Sequence, residues 1–134
     1  MSANELQKAI YTALASDTAV TAMCGPDKVF DGRPVRKDLP YLNFGNWRIF
    51  DNSTVSEPGT EHRFAIEVWS EKNGHFEAAA IADAVVSALH DQPLVVGSQI
   101  LVNLRHERTS TSRVNRSRLY LARVEFRAVL EPTD

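Results

Sequence analysis

The chain has little of what disulfide-rich, membrane-spanning or strongly charged proteins contain. One cysteine, Cys24, occurs among the 134 residues, so no internal disulfide can form and a reducing compartment is expected. No apolar run approaches the roughly 18 residues that a membrane span needs, and the first residues lack the basic and then apolar order of a signal peptide. The formal net charge is −2, so no whole-molecule field attracts nucleic acid or anionic lipid. We therefore expect a protein made in the cytoplasm and not held at a membrane.

The motifs of common active sites are also missing. The sequence has no glycine-rich phosphate loop, no Gly-x-Ser-x-Gly, no His-Glu-x-x-His and no Cys-x-x-Cys. The four histidines have no metal-ligand spacing. His62, at the start of a strand, is interpreted as a surface residue rather than a base, and Cys24 as a core or helix-end residue rather than a nucleophile. The residues alone therefore predict no catalytic residues, no cofactor and no metal site, and they disfavour the remaining alternative of a small enzyme that uses His62 or Cys24.

What the chain does contain is regular hydrophobic patterning. Hydrophobic residues make up 43% of it, which is typical of one globular domain, here residues 1–134. Helical spacing predicts a helix at about residues 3–15, a short helix ending at Met23 and an alanine-rich helix from His75 to His90. Alternating apolar residues predict strands between and after these helices, and Leu94–Ile100 is predicted to be a strand, a tight turn and the start of another strand. This order predicts an α+β fold: a mainly antiparallel sheet of about four to five strands with two main helices packed on one face.

Two polar segments are expected to be loops. Asp51–Thr60 is rich in turn-forming residues and joins two predicted strands, while Thr109–Ser117 lies in a basic stretch with few large apolar side chains. Loops of this kind are candidates for ordering against a partner protein. We also expect a neighbouring subunit to cover the mixed face of the third strand, which includes Trp69.

Charge is distributed unevenly along the sequence. Between Arg105 and Arg127 there are seven arginines and two glutamates, a formal balance of +5, which leaves −7 for the rest of the chain. Arginine suits bidentate pairing with carboxylate or phosphate. Because no aromatic residues interleave with the arginines from 105 to 118, we favour pairing with acidic residues, on neighbouring strands or on another subunit, over contact with nucleic acid.

These observations define a set of candidate subunit or partner contacts. They lie in the two predicted loops, on the mixed face of the third strand and in the basic stretch: Asp51, Asn52, Glu57, Glu61, Trp69, Arg105, Arg108, Arg113, Arg116 and Arg118.

Six segments spread over nearly the whole chain resemble a family of tailed-phage and prophage proteins. They are Leu6–Leu14, Val29–Gly32, Leu39–Gly45, Glu61–Ser70, Glu77–Ala84 and Val124–Ala128. The family is that of the tail-completion, or tail-terminator, proteins of long-tailed phages and of related gene transfer agents. The shared pattern consists of strand and helix landmarks and contains no catalytic signature.

The resemblance implies a structural virion protein, not an enzyme. Members of this family are expected to form a ring, typically a hexamer, that ends tail-tube polymerisation at the head-proximal end of the tail and joins the tail to the head connector. The implied partners are further copies of the chain, the tail-tube protein and the head–tail connector protein, with genomic DNA passing through the ring without specific binding. The implied location is the virion tail, assembled in the bacterial cytoplasm. Two alternatives stay open: a head–tail connector or adaptor component, and a small nucleic-acid-binding module that uses the C-terminal arginines.

Overall fold

The computed structural model describes residues 2–34, 38–53, 58–71 and 75–132. These described residues form three helices and five strands. Their bounds are α1 Ser2–Ser16, α2 Thr18–Cys24, β1 Val29–Phe30, β2 Tyr41–Asp51, β3 Thr60–Ser70, α3 His75–Leu89, β4 Gln99–Arg113 and β5 Tyr120–Pro132. No helix in these described ranges is long and apolar enough to cross a membrane.

The five strands form one sheet in the order β1-β2-β3-β5-β4. The short β1 runs parallel to β2, and the other neighbouring pairs are antiparallel. Strands β3 and β5 lie next to each other although α3 and β4 separate them in sequence. The predicted α+β class, with a mainly antiparallel sheet, is confirmed.

One face of the sheet is apolar because the alternate residues whose side chains point to it are apolar. On β5 these residues are Ala122, Val124, Phe126, Ala128 and Leu130, all at most 1% exposed. The helices pack against this face, and the apolar stripe of α1, Leu6, Ile10 and Leu14, is completely buried. Small buried residues of α3 let that helix lie close to the sheet: Ala78, Ala82 and Ala84. We call this the covered face.

The opposite face of the sheet has no helix over it in the described residues, and we call it the open face. It carries the side chains of the remaining alternate residues of the strands, and on β3 and β5 these side chains are mainly charged. The members on β3 and β5 are Glu61, Arg63, Ala65, Glu67 and Trp69, and Leu121, Arg123, Glu125, Arg127, Val129 and Glu131.

The sheet has two ends that differ in their connections. At one end β2 turns into β3, with Asp51 level with Thr60. At the other end β4 turns into β5, with Arg113 level with Tyr120. The two segments predicted to be partner-binding loops therefore belong to opposite ends of the same sheet. We call these the 51–60 end and the 114–119 end.

The predicted loop Thr109–Ser117 is mostly wrong. Strand β4 continues to Arg113, and only residues 114–119 turn. The alternating threonine and serine residues favour extended backbone, and each pairs with a residue of β5. They resemble a loop in composition because both faces of this outermost strand are exposed here. The predicted strand at Leu94 is also wrong, since Gly97, at φ +50°, turns the chain there and leaves one bridge between Val96 and Gln99.

Candidate assembly surfaces

His62 is fully buried, so its interpretation as a surface residue is wrong. The indole N–H of Trp47 donates to its Nδ1 at 3.0 Å, and its Nε2 lies 3.1 Å from the Thr60 hydroxyl. Nδ1 is therefore an acceptor, which places the ring proton on Nε2 and makes the ring neutral. Burial lowers the pKa of His62, in agreement with this neutral form. A ring with both nitrogens bonded inside the protein is not available to a substrate.

Cys24 lies at the end of α2, where its side chain is buried. Burial raises the pKa of its thiol to about 11, and Lys28 opposes this only in part. Because the thiolate is the nucleophile, a thiol that stays protonated at neutral pH is inert. The interpretation of Cys24 as a core residue is confirmed. In the described parts of the chain, no group of three or more His, Cys, Asp or Glu residues is placed to hold a metal ion.

The charged side chains of the open face pair with one another across the strands. Glu61 on β3 accepts from Arg63 at 2.8 Å and from Arg127 on β5 at 2.7 Å. These two arginines, Arg63 first, hold the pKa of Glu61 below its ordinary value. Arg63 also reaches Glu107 on β4, at 3.2 Å. One chain of ion pairs therefore spans three neighbouring strands.

Two further ion pairs on the open face lie nearer the 114–119 end. Arg123 contacts Glu67 at 2.9 Å, and Arg108 contacts Glu125 at 2.7 Å. Pairs of this kind on an exposed surface contribute little to stability, but they neutralise the arginines locally. Most of the positive charge that the sequence concentrates in β4 and β5 is therefore matched within the same chain.

Trp69 is only 8% exposed, although it lies on the open face. Its indole N–H donates to Asn43 Oδ1 at 2.7 Å, and the guanidinium of Arg33 stacks 3.9 Å from the ring centroid. The segment before β2 thus covers this ring within the chain. The expectation that a neighbouring subunit must cover Trp69 is corrected, because its surface is already occupied.

The 114–119 end carries three arginines that take no part in these ion pairs: Arg113, Arg116 and Arg118. Arg113 is held in place, since its Nε donates to the backbone oxygen of Ser117 at 2.7 Å. Asn115 and Arg116 occupy the centre of the turn with φ values of +46° and +58°. The side chains of Arg116 and Arg118 are exposed and form no ion pair with any residue that the structure describes. Further along β4, Arg105 pairs with Asp91 at 3.6 Å.

The 51–60 end instead carries the carboxylate of Asp51 and, beside it, exposed apolar side chains. Hydrogen bonds from Ser53 hold the pKa of Asp51 below its ordinary value, and the N–H of Asn52 donates to the Gly59 oxygen at 2.9 Å. The candidate Glu57 lies outside the described residues. The adjacent Ile49 and Phe50 are 46% and 44% exposed.

Ile49 and Phe50 are surface residues that the sequence analysis did not single out. They point to opposite faces of β2, so neither face of this strand end is fully covered. The signal was in the sequence: Trp47, Ile49 and Phe50 place apolar residues on both faces of a strand next to a polar loop. Such a strand end is typical of a segment that another element covers.

The family model of "Tail completion protein gp17" matches residues 8–131 of the chain. The chain belongs to this family. Among solved structures, a chain described as "Virion of native gene transfer agent (GTA) particle" is 31% identical, with a TM-score of 0.89 and coverage of 97% of both chains. No individually curated protein matches the chain significantly. The resemblance to tail-completion proteins is confirmed, and the surfaces described above are those of a structural tail protein of a phage-type particle.

Proposed function

We propose that this protein forms a ring at the head-proximal end of a phage-type tail, where it stops tail-tube polymerisation and joins the tail to the head connector. The single observation that carries this proposal is the family match, which extends over residues 8–131. Its partners are then further copies of itself, in a hexamer, together with the tail-tube protein and the head–tail connector protein. The chain acts as one domain, assembled in the bacterial cytoplasm.

The chemical difference between the two ends of the sheet supports this role. A ring of identical subunits uses heterologous contacts, in which one surface meets a different surface on the neighbour. A protein that separates a tube from a connector also needs two unlike faces. Arg116 and Arg118 lie at one end and Asp51 lies at the other. The two ends therefore carry opposite charges, which makes them complementary as contact surfaces.

The open face supports passage of DNA without specific binding. Phosphate binding needs arginines that are free to replace counterions. Here Arg63, Arg108, Arg123 and Arg127 already contact glutamates. For the same reason, these four arginines do not favour a dedicated nucleic-acid-binding module, and the buried His62 and Cys24 do not favour an enzyme.

A tube-elongation assay tests the proposal. The purified chain is added to polymerising tail-tube protein, and tube lengths and ends are measured by electron microscopy. We expect shorter tubes of restricted length with extra density at one end. Unchanged lengths and bare ends would contradict the role, as would normal particles from a strain lacking the gene.

A charge variant sharpens this assay. Replacing Arg116 and Arg118 by alanine removes two exposed arginines that form no ion pair with any described residue, so tube capping or connector joining is expected to weaken. The matched control is Lys8→Ala, which removes an exposed positive charge from α1. Equal effects of the double variant and of the control would show that the 114–119 end is not a contact surface.

A further inference from the structure

Each outer edge of the sheet is partly covered and partly open. Strand β1 pairs with β2 only at Leu42 and Asn43. On β4, the Leu104 oxygen accepts from the Asp91 N–H at 2.8 Å, and the His106 N–H donates to His90 Nδ1 at 3.0 Å. Beyond these contacts, residues 46–51 of β2 and 107–113 of β4 have no backbone partner on their outer side in the described structure.

The hydrogen-bond pattern shows which backbone groups face outward along the open part of β4. The Val114 N–H donates to the Leu119 oxygen across the β4–β5 turn. Because alternate residues of a strand bond to opposite sides, residues 108, 110 and 112 also face β5. The N–H and C=O groups of Thr109, Thr111 and Arg113 therefore point away from the sheet.

The same reasoning applies to the open part of β2. The Asn52 N–H donates to the Gly59 oxygen on the β3 side, so residues 48 and 50 also face β3. Trp47, Ile49 and Asp51 then present their N–H and C=O groups outward. Each open edge thus offers three outward-facing residues at alternate positions.

The open edge of β2 has the features of a strand that pairs with another chain. Ile49 and Phe50 expose apolar surface on its two faces. Between Asn46 and Asp51 there is no lysine or proline to block an added strand. An exposed apolar edge of this kind is a template for further pairing unless something covers it.

We propose that the open edge of β4 in one subunit pairs antiparallel with the open edge of β2 in the next subunit of the ring, with Thr109, Thr111 and Arg113 opposite Asp51, Ile49 and Trp47. The inference rests on the proposed ring and names the contact that builds it. The occupant of each edge is a second copy of the chain, and the two edges are different surfaces, as a ring requires.

The side-chain faces agree with this pairing. Thr109 is level with Val124, and Trp47 with Phe64, so the outward-bonding residues of both edges have their side chains on the covered face. Residues directly opposite in an antiparallel pair share a face. The helices of successive subunits therefore lie on the same side of the continued sheet. If the outward-bonding residues of the two edges had their side chains on opposite faces, the helices would alternate between the two sides of the sheet from one subunit to the next.

The resulting neighbours are also chemically compatible. On the covered face Arg113 lies beside the ring of Trp47, a favourable cation–π arrangement, and Thr109 lies beside the carboxylate of Asp51. On the open face, serines of β4 lie opposite Phe50 and Arg48. No two like charges stand directly opposite in this register.

The positions of the two open edges also favour closure. Ile49 is level with Ala128 of β5, whereas Thr111 is level with Ala122. If Ile49 of one subunit pairs with Thr111 of the next, each subunit is displaced along the strands relative to its neighbour by about 20 Å, because six residues of β5 separate the two levels. Four strands per subunit span about 19 Å across the sheet. The strands therefore tilt by about 45°, at the upper end of the range of closed barrels.

Disulfide cross-linking tests the pairing. In the variant Ile49→Cys/Thr111→Cys, the Cα atoms of the two cysteines across the interface are about 5.5 Å apart, as in a hydrogen-bonded antiparallel pair. A disulfide can form at this distance. We expect oxidation to produce a ladder of covalent oligomers on a non-reducing gel. Each single variant is expected to stay monomeric on the gel, since the native Cys24 is buried.

The other outcomes separate this inference from the proposed ring. An assembly with the mass of a ring that does not cross-link in the double variant overturns the pairing and leaves the ring standing. Dimers from Thr111→Cys alone also overturn it, because they indicate two-fold pairing of β4 with itself. A chain that stays monomeric even on tail-tube ends overturns the ring and the interface together.

A backbone variant provides a second test. Thr111→Pro removes an outward N–H that no described residue uses, so the chain should fold, while subunit association weakens by about tenfold or more. The control Thr111→Val keeps the N–H and should assemble normally. Unchanged assembly of a folded Thr111→Pro protein would overturn the inference.

Discussion

The two faces of the sheet are built from alternate residues of the same strands, yet they hold the protein together in different ways. The covered face buries aromatic and aliphatic side chains under the helices, with Phe64 stacked on Phe126 at 5.5 Å. The open face carries ion pairs, such as Arg123 with Glu67, whose arginine stays 46% exposed. Apolar burial stabilises a fold far more than exposed charge pairs do. The covered face therefore sets stability, and the open face, its edges and its ends are free to serve assembly.

The largest effect is expected from a truncation on the covered face. Phe126→Ala removes a ring that is 1% exposed and should lower the free energy of unfolding by about 3–5 kcal/mol. Phe50→Ala is the matched control, since Phe50 is 44% exposed, and should change stability by no more than about 0.5 kcal/mol. Urea unfolding measures both variants. Similar losses would contradict the assignment of stability to the covered face.

Acidification tests the buried histidine on the same face. Because burial lowers the pKa of His62 below its ordinary value of 6.5, the unfolded chain binds a proton there before the folded chain does. Stability from the neutral ring is complete above about pH 6.5 and is lost as the pH falls below it. Urea unfolding between pH 7.5 and 5.5 should show this decrease.

Two variants identify the source of that pH dependence. His62→Gln should flatten the decrease, whereas His75→Gln, which replaces an exposed histidine, should retain it. If the His75 variant alone abolished the decrease, the assignment to His62 would be wrong.

The turn at the 114–119 end is expected to give a smaller effect of opposite sign. Asn115 and Arg116 both have positive φ and are the central residues of a turn that the Ser117 N–H closes by donating to the Val114 oxygen. The second central position of such a turn favours glycine. Arg116→Gly should therefore raise the free energy of unfolding by about 1 kcal/mol. We also expect weaker assembly, because the same change removes an unpaired arginine. A variant that is less stable than the parent, measured by thermal unfolding, would refute the backbone argument.

The smallest effect is expected on the open face. A double-mutant cycle with Glu67→Gln and Arg123→Gln should give a coupling energy of about 0.2–1 kcal/mol, which decreases in high salt. Unfolding at low and high ionic strength provides the measurement. A coupling above about 3 kcal/mol that salt does not change would mean that this pair is buried, against its observed exposure.

Much of the covered face can be predicted from sequence, because apolar residues that are buried on one side of a helix or strand recur at a regular spacing along the chain. The stripe of Leu6, Ile10 and Leu14 and the alternation of β5 are both visible in the chain and both hold in the structure. The end of β4 is not visible in this way, since the threonines and serines of an edge strand have no buried side to reveal a period. Pairing with β5 determines that segment.

The candidate site was predicted less completely, for reasons that involve tertiary contacts. His62 is buried because Trp47, fifteen residues away, packs beside it and donates to its ring. Trp69 is covered because Arg33 and Asn43 reach it from other parts of the chain. The uneven charge was correctly identified, but only the structure shows which arginines are matched, as Arg108 is by Glu125.

The mass of the purified protein under native conditions, alone and together with tail-tube protein, tests the central claim most directly. The proposed role predicts a closed oligomer of one size, a hexamer, that forms in solution or on tube ends. A protein that remains monomeric at every concentration, with and without tubes, would contradict the account.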